Sequence, residues 1–352
     1  MIAQQERLSK HKINLRDSRP IFENELGNIQ QFTTTELPLL KNLSLQKIEL
    51  VPNAILEPKW FVNCNVLAYV VEGKTLVRTL DHASDMSTFT VKEGQMFHVH
   101  SGALFTVDNV GSERATLLLC LRHETPKDFT LSASAGAFTD NVLGNTWNVD
   151  AAVFANAPRT TKPKVIVKRE GAAQIPENAH WPHPNRFGIE EMQAPTYAEG
   201  VGSAKKARSQ YWKILTNIAM YSLRVEDEGM REPHWHPDTV ELGYIRQGNA
   251  RMSIMDPDGS VDTFTLHPGD VYFIPASYPH QIEVVGEEKI HFLIFFDQPM
   301  PKDVGFRQAG TVMSRRIIAS AFGMKEKDLP EFPYDNEDPL LVAKTNPTDP
   351  VV

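Results

Sequence analysis

The sequence predicts an all-β protein made of two β-barrels in tandem, and an internal repeat is the first reason. Shifting the chain by 175 residues aligns residues 57–61, Glu-Pro-Lys-Trp-Phe, with residues 232–236, Glu-Pro-His-Trp-His. Both copies contain short segments of alternating apolar and polar residues, the period-two pattern of half-buried strands. Turn sequences such as residues 256–259, Asp-Pro-Asp-Gly, separate these segments. Duplicated sets of short strands with regular turns are typical of small β-sandwiches or barrels.

The repeat also predicts the domain organisation. We expect a first barrel without metal ligands in residues 1–165, and a second barrel with a helical C-terminal extension in residues 166–352. Residues 155–163 and 174–185 are rich in proline, asparagine and alanine, so they predict irregular connections between the two copies.

The chain after the second barrel predicts a helix followed by a tail. Ser314 can cap the helix and Gly323 can end it. An apolar stripe between them is expected to pack in the core or against another subunit; its residues are Ile317, Ile318, Ala321 and Phe322. Residues 330–352 are rich in proline and polar residues, so we expect them to wrap a neighbouring surface or to be disordered.

Composition narrows the class of protein. The net charge of −8 argues against a nucleic-acid-binding surface, and the largest basic cluster is residues 205–208, Lys-Lys-Ala-Arg. The polar N-terminus lacks the apolar core of a signal peptide, and the apolar stretches, such as residues 115–121, are too short to span a bilayer. We therefore expect a cytoplasmic protein that does not insert into membranes. Cys64 and Cys120 predict buried reduced thiols, since two cysteines form no disulfide framework.

Four side chains of the second copy predict a divalent metal site. His234 and His236 are two residues apart on a predicted strand, so their side chains point to the same face. Glu241 follows a turn, and His280 follows the strand-like residues 269–275. Three imidazoles and one carboxylate suit Mn(II) or Fe(II), and they also bind Zn, Co and Ni ions.

The first copy lacks this ligand set. At the corresponding positions it carries Lys59, Phe61, Val66 and Phe105. The lysine is a cation at neutral pH and the other three side chains have no lone pair, so they are expected to fill the mouth of the first barrel by packing.

Other histidine pairs are weaker candidates. His98 and His100 form a second His-x-His sequence, but no carboxylate follows at the right distance, so they are expected to be structural or surface residues. His180 and His183 lie in a proline-rich stretch and are interpreted as loop residues, with a loop over a neighbouring site as the alternative.

The two motifs of the second copy resemble those of the cupin superfamily. The matching residues are Gly229, His234, His236, Glu241, Gly248, Gly269, Pro275 and His280. Residues 231–236, Arg-Glu-Pro-His-Trp-His, are similar to the Arg-Glu-Leu-His-Trp-His motif of bicupin oxalate decarboxylases, and residues 317–323 are similar to their C-terminal helix. Ser277 and Val284 depart from the usual Gly and Asn of the second motif, and Gly229 lies one residue closer to the first histidine, but none of these three is a ligand. The chain also resembles germin-like proteins, and its ligand-free first barrel resembles that of storage globulins.

The resemblance implies two jelly-roll cupin domains in tandem, with short C-terminal helices on each. It implies a metal-dependent enzyme, a carboxy-lyase or a cupin oxidoreductase, that acts on a small carboxylic or dicarboxylic acid at the C-terminal barrel. Oxalate is the leading substrate. One divalent metal per chain is expected, Mn(II) first and Fe(II) next, with dioxygen as a further cofactor. A homo-oligomer, a trimer or hexamer, is also expected by resemblance.

The same resemblance implies two catalytic residues. Arg231 stands where the family binds the substrate carboxylate, although strict strand alternation points it away from His234 unless the strand is bulged or twisted. Its alternative role is a surface ion pair with Glu232. Asp303 is the remaining candidate for the proton donor, and its alternative is a solvated loop residue. Ile294 stands where the family's second barrel has a glutamate that faces its metal.

Two other functions fit the same ligands. One is a different cupin enzyme, a dioxygenase or an isomerase, and the other is a non-enzymatic storage or ligand-binding protein. The polarity of the pocket separates them. A cavity that holds Arg231 and one acid suits a small dianion, whereas an apolar cavity suits a larger ligand or none.

Overall fold

Antiparallel β-strands dominate the structure, a computed structural model that describes residues 9–15, 18–82, 85–157, 159–192, 196–197, 200–333 and 339–349. The chain divides into two compact units. One contains residues 18–34 and 42–191, and the other contains residues 1–17, 35–41 and 192–352. The boundary predicted after residue 165 stays a prediction, and this division groups residues 166–191 with the first barrel.

The strands are short, as the alternating segments of the sequence indicate. The first fourteen are β1 (Lys12–Asn14), β2 (Phe22–Asn24), β3 (Gly27–Phe32), β4 (Ser44–Leu50), β5 (Ala54–Phe61), β6 (Val66–Glu72), β7 (Lys74–Asp81), β8 (Asp85–Lys92), β9 (Met96–Val99), β10 (Leu104–Asn109), β11 (Ala115–Leu121), β12 (Asp128–Thr130), β13 (Ile166–Lys168) and β14 (Arg186–Phe187). The remaining strands are β15 (Thr196–Tyr197), β16 (Gly202–Ala207), β17 (Ala219–Val225), β18 (Gly229–Trp235), β19 (Glu241–Gln247), β20 (Asn249–Met255), β21 (Val261–Leu266), β22 (Asp270–Ile274), β23 (His280–Val285), β24 (Ile290–Phe296), β25 (Val304–Gly305) and β26 (Leu341–Ala343).

Helices follow the last long strand of each barrel. They are α1 (Leu131–Ala135), α2 (Asp140–Trp147), α3 (Phe306–Val312) and α4 (Arg315–Phe322), with single 3₁₀ turns at Ala151–Phe154, Ile189–Glu191 and Glu326–Asp328. The predicted caps of α4 are confirmed, because the Ser314 side chain accepts a hydrogen bond from the Ile317 amide and Gly323 adopts a left-handed conformation. No helix in the described ranges is both long and apolar enough to cross a membrane.

Two facing sheets form the first barrel. One has the order β12-β5-β10-β7-β8, with β13 also on β5, and the other has the order β14-β9-β6-β11-β4-β3-β2. The predicted packing at the barrel mouth is confirmed, since Phe61 and Phe105 are buried with ring centroids 6.2 Å apart. Lys59 is also buried. It forms an ion pair with Asp128, and its Nζ lies 4.8 Å from the ring centroid of Phe61.

The second barrel repeats this arrangement. Its sheets have the orders β21-β20-β23-β18-β25, with β26 also on β18, and β1-β22-β19-β24-β17-β16-β15. The tail was expected either to wrap a neighbouring surface or to be disordered. In its described part, residues 341–343 form strand β26 and pair with residues 229–231. The tail therefore pairs with the strand that carries Arg231 and His234.

A β-bulge occurs at the same place in both barrels. On β18, Arg231 is opposite Ile282 and His234 is opposite His280, so three steps along β18 match two along β23. On β5, Leu56 is opposite Val107 and Lys59 is opposite Phe105, which is the same shift. The extra residue reverses the strand alternation, so side chains three apart face the barrel interior together. The bulge on β18 therefore lets Arg231 face the barrel interior together with His234.

We expect Phe105→Ala to lower the free energy of unfolding by roughly 3–5 kcal/mol, because it leaves a cavity beside Phe61 in a closely packed core. Denaturant unfolding would measure the loss. Metal content should stay unchanged, since Phe105 belongs to the first barrel. A loss below 1 kcal/mol would contradict the packing role.

Candidate metal centre

Three strands bring the four predicted ligands together. His234 is the next-to-last residue of β18, Glu241 opens β19 and His280 opens β23. One potential ligand atom from each of His234, His236, Glu241 and His280 lies within 4.8 Å of the others, and all four residues are buried. Across the described ranges, this is the one group of three or more histidine, cysteine, aspartate or glutamate side chains with such a geometry.

Backbone carbonyls fix the orientation of all three imidazoles. The Nδ1 atoms of His234, His236 and His280 lie 2.8, 3.1 and 2.9 Å from the carbonyl oxygens of Glu232, Lys302 and Tyr278. A carbonyl can only accept, so each Nδ1 carries the proton and each Nε2 faces the group. Hydrogen bonds of this kind are typical of metal-ligating histidines, because they fix the tautomer that coordinates.

The Nε2 of His280 gives the clearest sign that the group suits a cation. It is buried and makes no hydrogen bond within the described ranges, although it lies 3.5 Å from Oε2 of Glu241. That same oxygen is 2.8 Å from Nε2 of His236, while Oε1 accepts a hydrogen bond of 2.7 Å from the Tyr272 hydroxyl. A buried nitrogen lone pair beside a carboxylate fits a divalent cation, so the donor set fits the predicted metal.

The charges of the group are strongly coupled. Burial opposes a charge on His236, but hydrogen bonds with Asp303 and Glu241 raise its pKa to about 10. Burial would raise the pKa of Glu241, but the contacts with His236 and His280 hold it well below its ordinary value. Burial and the charge of Arg231 lower the pKa of His234 well below its ordinary value, which keeps its Nε2 available as a neutral ligand.

Arg231 lies beside this group and not on the surface. It is 3 % exposed, its Nη1 donates to the carbonyl of Leu340 at 2.8 Å, and its Nη2 is 3.3 Å from Oδ2 of Asp303. The alternative of a surface ion pair with Glu232 is wrong, because the bulge turns Arg231 inward and Glu232 accepts from the Arg307 amide instead.

Asp303 is also largely enclosed and lies against the site. The alternative of a solvated loop residue is wrong, since its side chain is 14 % exposed and its Oδ1 lies 2.6 Å from Nδ1 of His236. Burial would raise the pKa of Asp303, but the charge of Arg231 and the contact with His236 hold it at about 2. Asp303 is therefore a charged counter-ion of Arg231 in this arrangement.

A small cavity connects these residues. Its volume is about 10 Å³, on the order of the space that one water molecule needs. The walls are Tyr221, Leu223, Arg231, His234, His236, Glu241, Ile282, Ile294, Phe296, Asp303 and Leu340. Ile294 thus contributes an apolar wall at the position where the resemblance implies a glutamate.

Sequence reasoning missed two residues of this site. Tyr272 supports Glu241, and a Cβ at Gly243 would lie 2.1 Å from the Tyr272 ring, so this glycine permits the close approach. The other is Leu340, whose backbone conformation is left-handed with φ 59° and whose carbonyl holds Arg231. No local pattern links a tail residue to β18, because the contact joins positions 109 residues apart.

The weaker histidine candidates lie outside the group, as expected. His98 is fully buried, and His100 lies 2.6 Å from Asp81. His183 stacks on Phe89 with ring centroids 4.6 Å apart. Cys64 and Cys120 are buried free thiols, which confirms their predicted state.

Comparison with known proteins supports the repeat and the site. The cupin family model matches residues 13–153 and 188–329. The oxalate decarboxylase OxdC of Bacillus subtilis (strain 168) is 30% identical over 90% of this chain and 83% of its own length. A probable oxalate decarboxylase of Arthroderma benhamiae is 24% identical over 85% of this chain and 75% of its own length.

The fold agrees as well. The structure of oxalate decarboxylase from Bacillus subtilis at pH 4.6 superposes with a TM-score of 0.84 and 25% identity, over 97% of this chain and 89% of that one. The two family matches fall on the two barrels, and these relatives are oxalate decarboxylases, the group that the motifs of the second copy resemble. The chain is a bicupin and belongs to the cupin family.

Proposed function

We propose that this protein is a metal-dependent decarboxylase of oxalate or a closely related small dicarboxylate, acting at the second barrel. One observation carries the proposal: a buried arginine and a largely enclosed aspartate share one small cavity with the three-histidine, one-glutamate group. The guanidinium suits a carboxylate and the acid suits proton transfer. The other walls are largely apolar, but the charged pair sets this cavity apart from the wholly apolar one that a larger ligand would favour.

His234, His236, Glu241 and His280 would hold the metal, and Mn(II) is the first candidate, followed by Fe(II). When bound, the metal supplies, together with dioxygen, the one-electron chemistry that weakens the carbon–carbon bond of the substrate. The apolar walls at Ile294 and Phe296 keep bulk water away from the reacting atoms.

Arg231 would bind and orient the substrate. A guanidinium can make two parallel hydrogen bonds with one carboxylate, and in the structure Asp303 is the carboxylate beside Nη2 of Arg231. A substrate carboxylate that engages Arg231 therefore replaces Asp303 as the counter-ion.

Asp303 would then supply the proton: when the substrate carboxylate replaces it at Arg231, Asp303 loses the partner that keeps it ionised and takes up the proton that hydrogen oxalate brings. In the net reaction hydrogen oxalate gives carbon dioxide and formate, so the carbon–carbon bond breaks, carbon dioxide leaves and the remaining carboxylate carbon takes one proton. Glu241 is used by the ligand set, so Asp303 is the one remaining carboxylic acid among the lining residues. After the transfer Asp303 is ionised and pairs with Arg231 again.

The direct test is oxalate consumption by Mn-loaded and Fe-loaded protein, under air and under nitrogen. We expect formate and carbon dioxide in equal amounts under air, and little turnover under nitrogen. If neither metal form consumes oxalate under air, the proposal fails, and the other cupin enzymes or a binding protein become the better explanations.

Arg231→Lys should weaken oxalate binding by about tenfold and slow turnover, because lysine keeps the charge but loses the two-pronged carboxylate contact. Steady-state kinetics of the metal-loaded variant would measure both effects. Metal content should match the wild-type protein, since Arg231 is not a ligand. Unchanged kinetics would remove Arg231 from the substrate site.

A homo-oligomer, a trimer or hexamer, and a cytoplasmic location are part of the same proposal. Exposed apolar side chains on the helices of both barrels support self-association, with Val142 and Trp147 on α2 and Ile317 and Phe322 on α4.

A further inference from the structure

A second cavity lies directly outside the metal site. Its volume is about 280 Å³, and its lining residues are Lys206, Arg208, Tyr221, Pro301, Lys302, Asp303, Gln308 and Leu340. Tyr221, Asp303 and Leu340 line both cavities, so they form the wall between them. We call this space the outer pocket.

The inner cavity is too small to admit a substrate as it stands. Its volume of about 10 Å³ is on the order of one water molecule, whereas oxalate has several times that size. A substrate must therefore displace part of the wall. The side that faces the outer pocket is where the described residues already leave space for a small molecule.

The outer pocket is cationic, although the whole chain carries a net charge of −8. Three of its lining side chains, Lys206, Arg208 and Lys302, are basic, and its one carboxylate, Asp303, faces Arg231. The Nζ of Lys206 lies 5.3 Å from the ring centroid of Tyr221, which places this charge at the shared wall. The Nε of Arg208 is buried and makes no hydrogen bond within the described ranges.

Two of these residues, Lys206 and Arg208, belong to the largest basic cluster of the sequence, residues 205–208. Strand β16 alternates, so Lys206 lies on the same face as the core residue Ala204, while Lys205 lies on the opposite face and does not line the pocket. The cluster therefore places two basic residues, Lys206 and Arg208, at the pocket and leaves Lys205 outside it.

We propose that the outer pocket is the entry site of the protein, where a small carboxylate dianion is captured before it passes Leu340 to reach the metal group. This inference rests on the proposed function, because it takes oxalate-like dianions as the ligand class. A concave site of one charge sign raises the local concentration of oppositely charged ligands and speeds their association. Leu340 is the positioning residue of the passage, since its side chain lies in the wall and its carbonyl holds Arg231.

The test compares Lys206→Ala with the matched control Lys205→Ala. The association rate of oxalate with Mn-loaded protein is measured under nitrogen by rapid-mixing electron paramagnetic resonance of the bound Mn(II), at low and high salt. We expect Lys206→Ala to slow association on the order of 3–10-fold at low salt, with the difference shrinking at high salt because salt screens the charge. Lys205→Ala should behave as wild type.

The outcomes separate this inference from the proposed function. Slower association in Lys206→Ala without oxalate turnover in the wild type supports the entry site and overturns the decarboxylase. Oxalate turnover by the wild type, with equal association rates in both lysine variants, supports the decarboxylase and overturns the entry site. No oxalate binding to the wild type overturns both.

Leu340→Ala tests the passage itself. A smaller side chain in the wall should speed both association and dissociation of oxalate, while manganese content stays at the wild-type level. Unchanged rates with normal manganese content would show that substrate enters elsewhere.

Discussion

The double variant His234→Ala/His236→Ala should contain almost no metal, whereas the wild-type protein should contain close to one divalent ion per chain. The variant removes two of four ligands and leaves only Glu241 and His280 within reach of the ion. Structural metal affinity depends on the full ligand set, and even the residues that orient the ligands change affinity 10–100-fold. Elemental analysis after exhaustive dialysis measures the stoichiometry.

His100→Ala is the matched control, because it alters the other His-x-His sequence, in the first barrel, where His100 contacts Asp81. It should keep the full metal content. A wild-type stoichiometry near two, or metal retained in the double variant, would place a metal at residues other than the four named. A stoichiometry above one ion per chain is not expected, because the corresponding positions of the first barrel carry no metal ligands. They are Lys59, Phe61, Val66 and Phe105.

Asp303→Asn should remove most turnover, by about 10²–10⁴-fold, while oxalate binding stays close to wild type. Asparagine keeps the size of the side chain but cannot deliver a proton. It also removes the negative charge beside Arg231, so the substrate carboxylate meets no competitor for the guanidinium and any change in oxalate affinity should be a small increase. Turnover and oxalate affinity, measured separately on the Mn-loaded variant, distinguish these two effects.

Asp238→Asn is the control for this variant, because Asp238 is exposed and lines neither cavity. It should leave turnover unchanged. A shift of Asp303→Asn from formate toward oxidation of oxalate to carbon dioxide, with dioxygen reduced to hydrogen peroxide, would further support a proton-donor role. Full activity in this variant would exclude Asp303 as the donor.

The sequence alone determined the fold class and the ligand set. Strand periodicity is a local property, and duplication makes each copy a check on the other, so two barrels could be predicted from the offset of the repeat. The four ligands could be predicted in the same way. Histidines two apart on a strand face the same side, and the turns that follow bring Glu241 and His280 back to that side. The loss of ligands in the first barrel could likewise be read position by position.

Tertiary structure decided the roles of Arg231 and Asp303. Strict alternation points Arg231 away from His234, and only the bulge on β18 turns both inward. Asp303 lies in a short connection whose sequence fits a solvated loop, but the fold presses it against His236 and Arg231. Leu340 could not be predicted at all, because its contact depends on a tail strand that pairs with β18 across more than a hundred residues of chain. The local sequence pattern determines which side chains a strand points to the barrel interior. Contacts between distant segments depend on how the barrel closes, and a local pattern does not contain this information.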